Sequence, residues 1–161
     1  YAAALRDRAI PVAVEVVAVP GVCRDSMSGM PYPLQVALTV GERRFAGCGG
    51  DPAALLRGGE WTVVELAGGA VAAPAPTLRF GDDGRLAGRA SCNAYRATYV
   101  LGGETLAVGA VAATRMACPP PQTAQERRFL ELLEGVRRFD LADDGSLLLG
   151  DGAGWAIRAR R

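Results

Sequence analysis

The chain has 161 residues, half of them hydrophobic and 22% charged, which fits one ordinary folded domain or two small ones and excludes wholesale disorder. Its 18 basic residues nearly balance 17 acidic ones, so a net charge of +1 gives no overall pull toward nucleic acid or an anionic membrane. Every basic residue is arginine and histidine is absent, which removes Ser-His-Asp and Cys-His nucleophiles, histidine-ligated zinc, lysine Schiff bases and the P-loop lysine.

Residues 12–19 (VAVEVVAV) form a β-branched run read as a strand. Leu34, Val36, Leu38 and Val40 then alternate with Gln35, Ala37 and Thr39, the period of a strand with one dry face. The turn Gly41-Glu-Arg-Arg leads into a third strand from Arg44 to Cys48, and Cys23 lies in the Gly/Ser/Pro-rich loop between the first two. A Pro and a Gly pair in the stretch from Asp51 to Gly59 mark the boundary candidate, dividing the chain into a small β segment, 1–57, and a second domain, 58–161.

Beyond it, strands are predicted over Trp61–Leu66, Thr77–Phe80 and Leu86–Ala90, the last two joined by the tight-turn sequence Gly81-Asp-Asp-Gly84. Tyr95–Val100 and Thr105–Val108 make a hairpin around Gly102-Gly103. One helix is predicted over about 123–138. Thr123 and Glu126 have the spacing of a capping box, and Phe129, Leu130, Leu133 and Val136 give one apolar stripe. Strands over Ser146–Leu149 and Trp155–Ala159 close the chain. The fold class expected is α+β, a mainly antiparallel sheet or open barrel with one covering helix, preceded by a disulfide-stapled β segment.

Cys23, Cys48, Cys92 and Cys118 form no CxxC pair, which disfavours redox motifs and zinc ribbons. An even count at wide spacing reads as two disulfides in an oxidising compartment; buried free thiols are the alternative. Of three pairings, the sequential one closes loops of about 25 residues, each worth roughly 3.5 kcal/mol. No apolar stretch is long enough to span a bilayer. The chain begins at Tyr1 without methionine and reads as a processed or trimmed product, one that an export signal or lipid anchor could have preceded.

The region from Trp61 onward resembles the META domain of HslJ-like bacterial heat-shock proteins. The resemblance runs through Trp61, Pro76-Thr-Leu-Arg-Phe80, Gly84-Arg85, Gly88, Cys92-Asn-Ala-Tyr95, Tyr99 and Leu106, then Thr114-Arg-Met-Ala-Cys118, Glu126, Phe129 and Leu133. Two positions depart from the family pattern, Ser91 and Ala97, where glycine is usual. About 40 residues before it, with Cys23-Arg-Asp-Ser-Met-Ser-Gly29, Tyr32-Pro33 and Gly47-Cys48-Gly49, resemble the C-terminal half of another small bacterial envelope family. That family begins with a further β segment, so the resemblance implies an incomplete first domain, completed by a missing N-terminal piece or another chain.

The resemblance implies an exported protein, periplasmic or outer-membrane associated and often a lipoprotein, linked to heat shock and envelope stress. It brings no catalytic residues and no cofactor. Candidate binding residues are Asn93, Tyr95, Asp25 and Arg115; the first three have a plainer structural reading, with Asn93 satisfying turn amides, Tyr95 packing on the bridge and Asp25 closing an Asx turn. The Asp82-Asp83 and Asp143-Asp144 pairs precede glycine and read as hairpin turns rather than calcium loops. The Arg127-Arg128 and Arg137-Arg138 pairs, on or just beyond the helix's polar side, read as a solvated face, with contact to an anionic partner as the alternative. The expectation is a non-enzymatic envelope binding or stress-response module whose partner is a protein or envelope component, not nucleic acid. The alternative is an inhibitor of a hydrolase such as lysozyme or a protease, which flat inhibition curves against a hydrolase panel would remove.

Overall fold

Two-residue alternation dominates this chain, and the computed structural model turns it into two antiparallel sheets. It describes the backbone of residues 2–7 and 10–161 and the side chains from residue 12 onward. Residues 1–55 and 56–161 form two compact units.

The first unit is one four-stranded meander of β1 (Ala2–Asp7), β2 (Ile10–Arg24), β3 (Pro31–Val40) and β4 (Arg43–Gly49), paired in that order. The run at 12–19 is thus the middle of a 15-residue strand. The dry face expected of residues 34–40 is not found, since Leu34, Val36, Leu38 and Val40 are only half-buried. Val12, Val16, Val17, Val19 and Phe45 are 39% to 53% exposed. The reason is that this unit adds strands in a single layer, and a sheet buries a face only against a second layer. The Cys23–Cys48 disulfide, with Cα atoms 5.4 Å apart, ties β2 to β4 across β3.

Residues 51–59 contain a turn of helix, α1 (Ala53–Leu56), where the sequence suggested only a boundary loop; the Asp51 carboxylate caps it by accepting from the Ala53 amide at 2.9 Å. The second unit follows. Its strands are β5 (Trp61–Leu66), β6 (Gly69–Ala70), β7 (Thr77–Phe80), β8 (Arg85–Arg89), β9 (Ala94–Leu101), β10 (Leu106–Val108) and β11 (Ala112–Ala113). Then come the helix α2 (Pro120–Glu134) and strands β12 (Arg138–Leu141), β13 (Leu147–Gly150) and β14 (Trp155–Arg160). The sheet order is β10-β9-β8-β7-β5-β14-β13-β12, with β11 beside β9 and β6 beside β5. It does not close into a barrel by strand pairing. Among the described residues one backbone bond, Leu106 N–H to the Arg137 carbonyl at 2.8 Å, joins its two ends.

Alternation sorts this sheet cleanly. Trp61 and Val63 on β5, and Tyr95, Ala97 and Tyr99 on β9, point inward and are buried, while Thr62, Arg96 and Thr98 point out. α2 lays Phe129 and Leu133 into the curl, both fully buried, and Val136 completes the stripe just past the helix end.

The helix begins three residues before the expected start, and the capping box does not form. Pro119 is the N-cap and prolines occupy the first turn, where a missing N–H forfeits no bond. Thr123 is therefore already inside the helix, donating to the carbonyls of Pro119 and Cys118 at 3.3 Å. The helix ends at Glu134, four residues short of the expected 138, where the Gly135 amide donates to the Glu131 carbonyl and the Val136 amide to the Leu133 carbonyl. Arg137 and Arg138 thus fall beyond it. Arg138 lies over the Trp155 ring at 4.4 Å, and Arg137 donates to the carbonyls of Glu134 and Val136. Trp61 is an internal anchor: its indole N–H donates to the Leu56 carbonyl at 2.8 Å, with Arg161 over its ring at 3.9 Å.

Candidate functional site

The densest polar cluster of the second unit is built on the turn between β8 and β9. The Ala90 amide donates to the Asn93 carbonyl at 2.7 Å, closing the turn and presenting Ser91, Cys92 and Asn93 toward the segment before α2. Ser91 takes a φ of +117°, a conformation that favours glycine, which explains why the family pattern has glycine there. This serine keeps the turn and adds contacts that glycine cannot make. Its hydroxyl donates to the Pro74 carbonyl at 2.8 Å and accepts from Gln125 Nε2 at 3.1 Å.

The Cys92–Cys118 disulfide joins the turn to that segment, with Cα atoms 6.3 Å apart. Beside it, Asn93 Oδ1 accepts from the Thr114 hydroxyl at 2.7 Å and the Met116 amide at 2.8 Å. Its Nδ2 donates to Glu126 Oε1 at 2.9 Å, and its backbone amide donates to Glu126 Oε2 at 2.8 Å. Glu126 is thus turned away from the helix end and holds Asn93. The acceptor and donor capacity of Asn93, a residue only 4% exposed, is spent within the protein.

Tyr95 is next on the same side. β9 pairs with β8 so that Tyr95 stands opposite Gly88, and its hydroxyl donates to the Thr77 carbonyl on β7 at 2.8 Å. The side chain therefore spans β8 at the residue that has no side chain of its own. Its ring packs on Phe129 with centroids 5.5 Å apart. Burial pushes the phenol well above its ordinary pKa near 10, with Glu60 adding to the shift, so it stays protonated. Tyr99 makes a parallel arrangement, donating to the Gly81 carbonyl at 2.7 Å and accepting from Arg57 Nε at 3.1 Å.

Arg115 lies exposed between Thr114 and Met116, the two residues that Asn93 holds. The cluster thus sets Asn93 against the short segment that carries Arg115, with Tyr95 adjacent on β9. Asp25 belongs to the other unit and does not join them. Its carboxylate accepts from the amides of Met27 and Ser28 and from the Ser28 hydroxyl, at 2.8 to 3.1 Å, an Asx turn beside Cys23. Those bonds from Ser28 and Met27 lower its pKa. A groove of about 580 Å³ runs along the same sheet past Val17, Val19, Gln35 and the Cys23–Cys48 bridge.

The acidic pairs serve turns. Asp83 Oδ1 accepts from the Arg85 amide, and Asp144 Oδ1 from the Ser146 amide. Among the described residues no group of three or more Cys, Asp or Glu is placed to hold a metal ion. Asp144 also pairs with Arg158 and Arg160 at 2.9 and 2.8 Å. Its bonds from Ser146, with the two arginines adding less, depress its pKa well below the ordinary 3.8. A depressed carboxylate contributes stability above its unfolded pKa and loses it as pH falls through the folded value. Stability is therefore expected to fall on acidification below about pH 4, and Asp144→Asn to flatten that decline. Melting curves from neutral to strongly acid pH check it; an unchanged slope in the variant rejects the assignment.

The sequence singled out Asn93, and its partners Thr114, Met116 and Glu126 all lie within the resemblance to the META pattern, but Glu126 had read as a cap. Only the fold shows that it faces Asn93, 33 residues away.

Residues 54–160 match the family model described as the META domain. Among solved structures, an NMR structure of a protein from Burkholderia xenovorans is 26% identical, with a TM-score of 0.53 over 69% of this chain and 88% of that one. A second NMR structure, 21% identical with a TM-score of 0.53, covers 68% of this chain and 94% of its own and is similar in fold. No curated protein matches the chain.

Proposed function

Since the chain belongs to the META-domain family over residues 54–160, we propose that it is a non-enzymatic envelope protein that acts by binding. The observation that carries the reading is that all four cysteines are paired, Cys23 with Cys48 and Cys92 with Cys118. Two such bridges persist in an oxidising compartment and are uncommon where glutathione keeps thiols reduced. In this reading the protein works in the periplasm or at the outer membrane, as part of a stress response.

What supports a binding rather than a catalytic role is the accounting of the polar cluster. The polar groups of Asn93, Ser91 and Tyr95 are each engaged by another group of the protein. A general acid or base needs a proton that a substrate can reach, and these side chains offer none.

The test is an intact mass of the protein from its native source, with alkylation and peptide mapping under non-reducing conditions, alongside fractionation of the cells. Two mapped bridges and recovery in the envelope fraction are expected. Free thiols together with cytosolic recovery would overturn the reading.

A further inference from the structure

We propose that the outer face of β7, β8 and β9 docks on the anionic headgroups of a phospholipid bilayer. Strand register places Arg79 opposite Ala87, and Ala87 opposite Arg96. Alternation along β8 puts Arg85 and Arg89 two residues to either side of Ala87 on the same face, with Leu86 between them turned inward. Four arginines therefore surround one methyl group. Their Cα atoms lie about 5 Å from that of Ala87 across the strands and about 7 Å along them.

All four are exposed. Arg85 shares the Asp83 carboxylate at 3.3 Å, an open pair with side chains 81% and 55% exposed. No ion pair reaches Arg79, Arg89 or Arg96 among the described residues. Beside them a shallow groove of about 630 Å³ opens between Arg85, Arg96, Thr98 and Ala112. Like charges gathered this closely repel, and an oxyanion layer laid over them converts the repulsion into attraction. The near-neutral net charge conceals this, because β7, β8 and β9 carry no carboxylate and, among the described residues, only Asp83 pairs with one of these arginines.

The chemistry of the face selects among polyanions. Between the arginines stand Ala87, Ala94 and Thr98, with no aromatic ring. A protein partner draws its affinity from buried aromatic or aliphatic anchors, and single-stranded nucleic acid stacks its bases on rings. A leaflet of phosphates requires only guanidinium groups, which pair with phosphate through two parallel N–H bonds. The inference rests on the envelope reading for the presence of such a leaflet near the protein. Vesicle binding tests the face alone, while fractionation tests the compartment.

The experiment is sedimentation of the full chain with vesicles of phosphatidylglycerol and phosphatidylcholine in equal parts, and with phosphatidylcholine alone, at about 20 and about 150 mM salt. Binding to the anionic vesicles alone, weakened by salt, is expected. Arg79→Gln, Arg89→Gln and Arg96→Gln combined are expected to reduce it at least about tenfold. A charge-matched control combining Arg44→Gln, Arg127→Gln and Arg128→Gln is expected to bind within about twofold of the parent. Circular dichroism confirms folding, and if the triple variant fails it the three single variants are read the same way. Equal loss in both triples, equal binding to phosphatidylcholine, no binding at low salt, or tighter binding of polyglutamate or duplex DNA at matched charge would each overturn the proposal.

Discussion

Asn93→Ala is expected to lower the unfolding free energy by about 3 kcal/mol and the melting temperature by on the order of 10 °C. The side chain holds three partners on two parts of the chain: the Thr114 hydroxyl and the Met116 amide on the segment before α2, and the Glu126 carboxylate on the helix. Truncation strands two donors and leaves the Glu126 carboxylate with the backbone amide of residue 93 alone. Leaving a partner unsatisfied costs more than the net worth of the bond itself. Asn93→Asp should be at least as damaging, because it sets a second carboxylate against Glu126 and removes the donor. Urea denaturation with an unchanged m-value checks both. A loss below about 1 kcal/mol for the alanine variant would mean that the Cys92–Cys118 bridge holds the segment without help.

Gly88→Ala is expected to be worse still, costing about 4 kcal/mol or preventing folding. A Cβ at this position would fall 2.2 Å from the Thr77 carbonyl oxygen and 2.8 Å from its carbon, both backbone atoms that a rotamer change cannot move. The same carbonyl accepts the Tyr95 hydroxyl, and the Thr77 side chain accepts the Arg89 amide. One added methyl therefore pushes β7 from β8 and unseats Tyr95 from the floor it shares with Phe129. Gly103→Ala, where nothing lies within 4 Å of the added carbon, is the matched control and should change stability little. Comparable melting temperatures for the two variants would refute the crossing of Tyr95 over Gly88.

Much of the sheet was legible because its signals are local. Period-two alternation located β5, β7, β8 and β9 to within a residue or two, and Gly81-Asp-Asp-Gly84 marked the turn between β7 and β8. Missed elements are those whose stability is not local. β6 and β11 are two residues long and exist only as partners of β5 and β9. β12 begins where the expected helix ended and exists as a strand only through its pairing with β13, with Phe139 2% exposed. In the site, Asn93 was visible from its neighbours Cys92 and Tyr95. Glu126 was misassigned because a carboxylate three residues after a threonine satisfies a local rule, and a tertiary partner outcompeted it. The arginine diamond was hidden in the same way: each arginine obeys alternation, but their convergence on Ala87 depends on register between three strands.

The bond between Leu106 and the Arg137 carbonyl has a consequence for the molecule in a crowd. An open sheet exposes two rows of unspent amides and carbonyls, the template on which neighbouring copies add strands and grow into fibres. Here the two terminal strands are only three and four residues long, and one end is fastened to the other. An incoming strand would find little free edge on which to set its register. The curl that makes the interior of the second unit thus also guards that sheet against strands of other copies, without the full closure of a barrel.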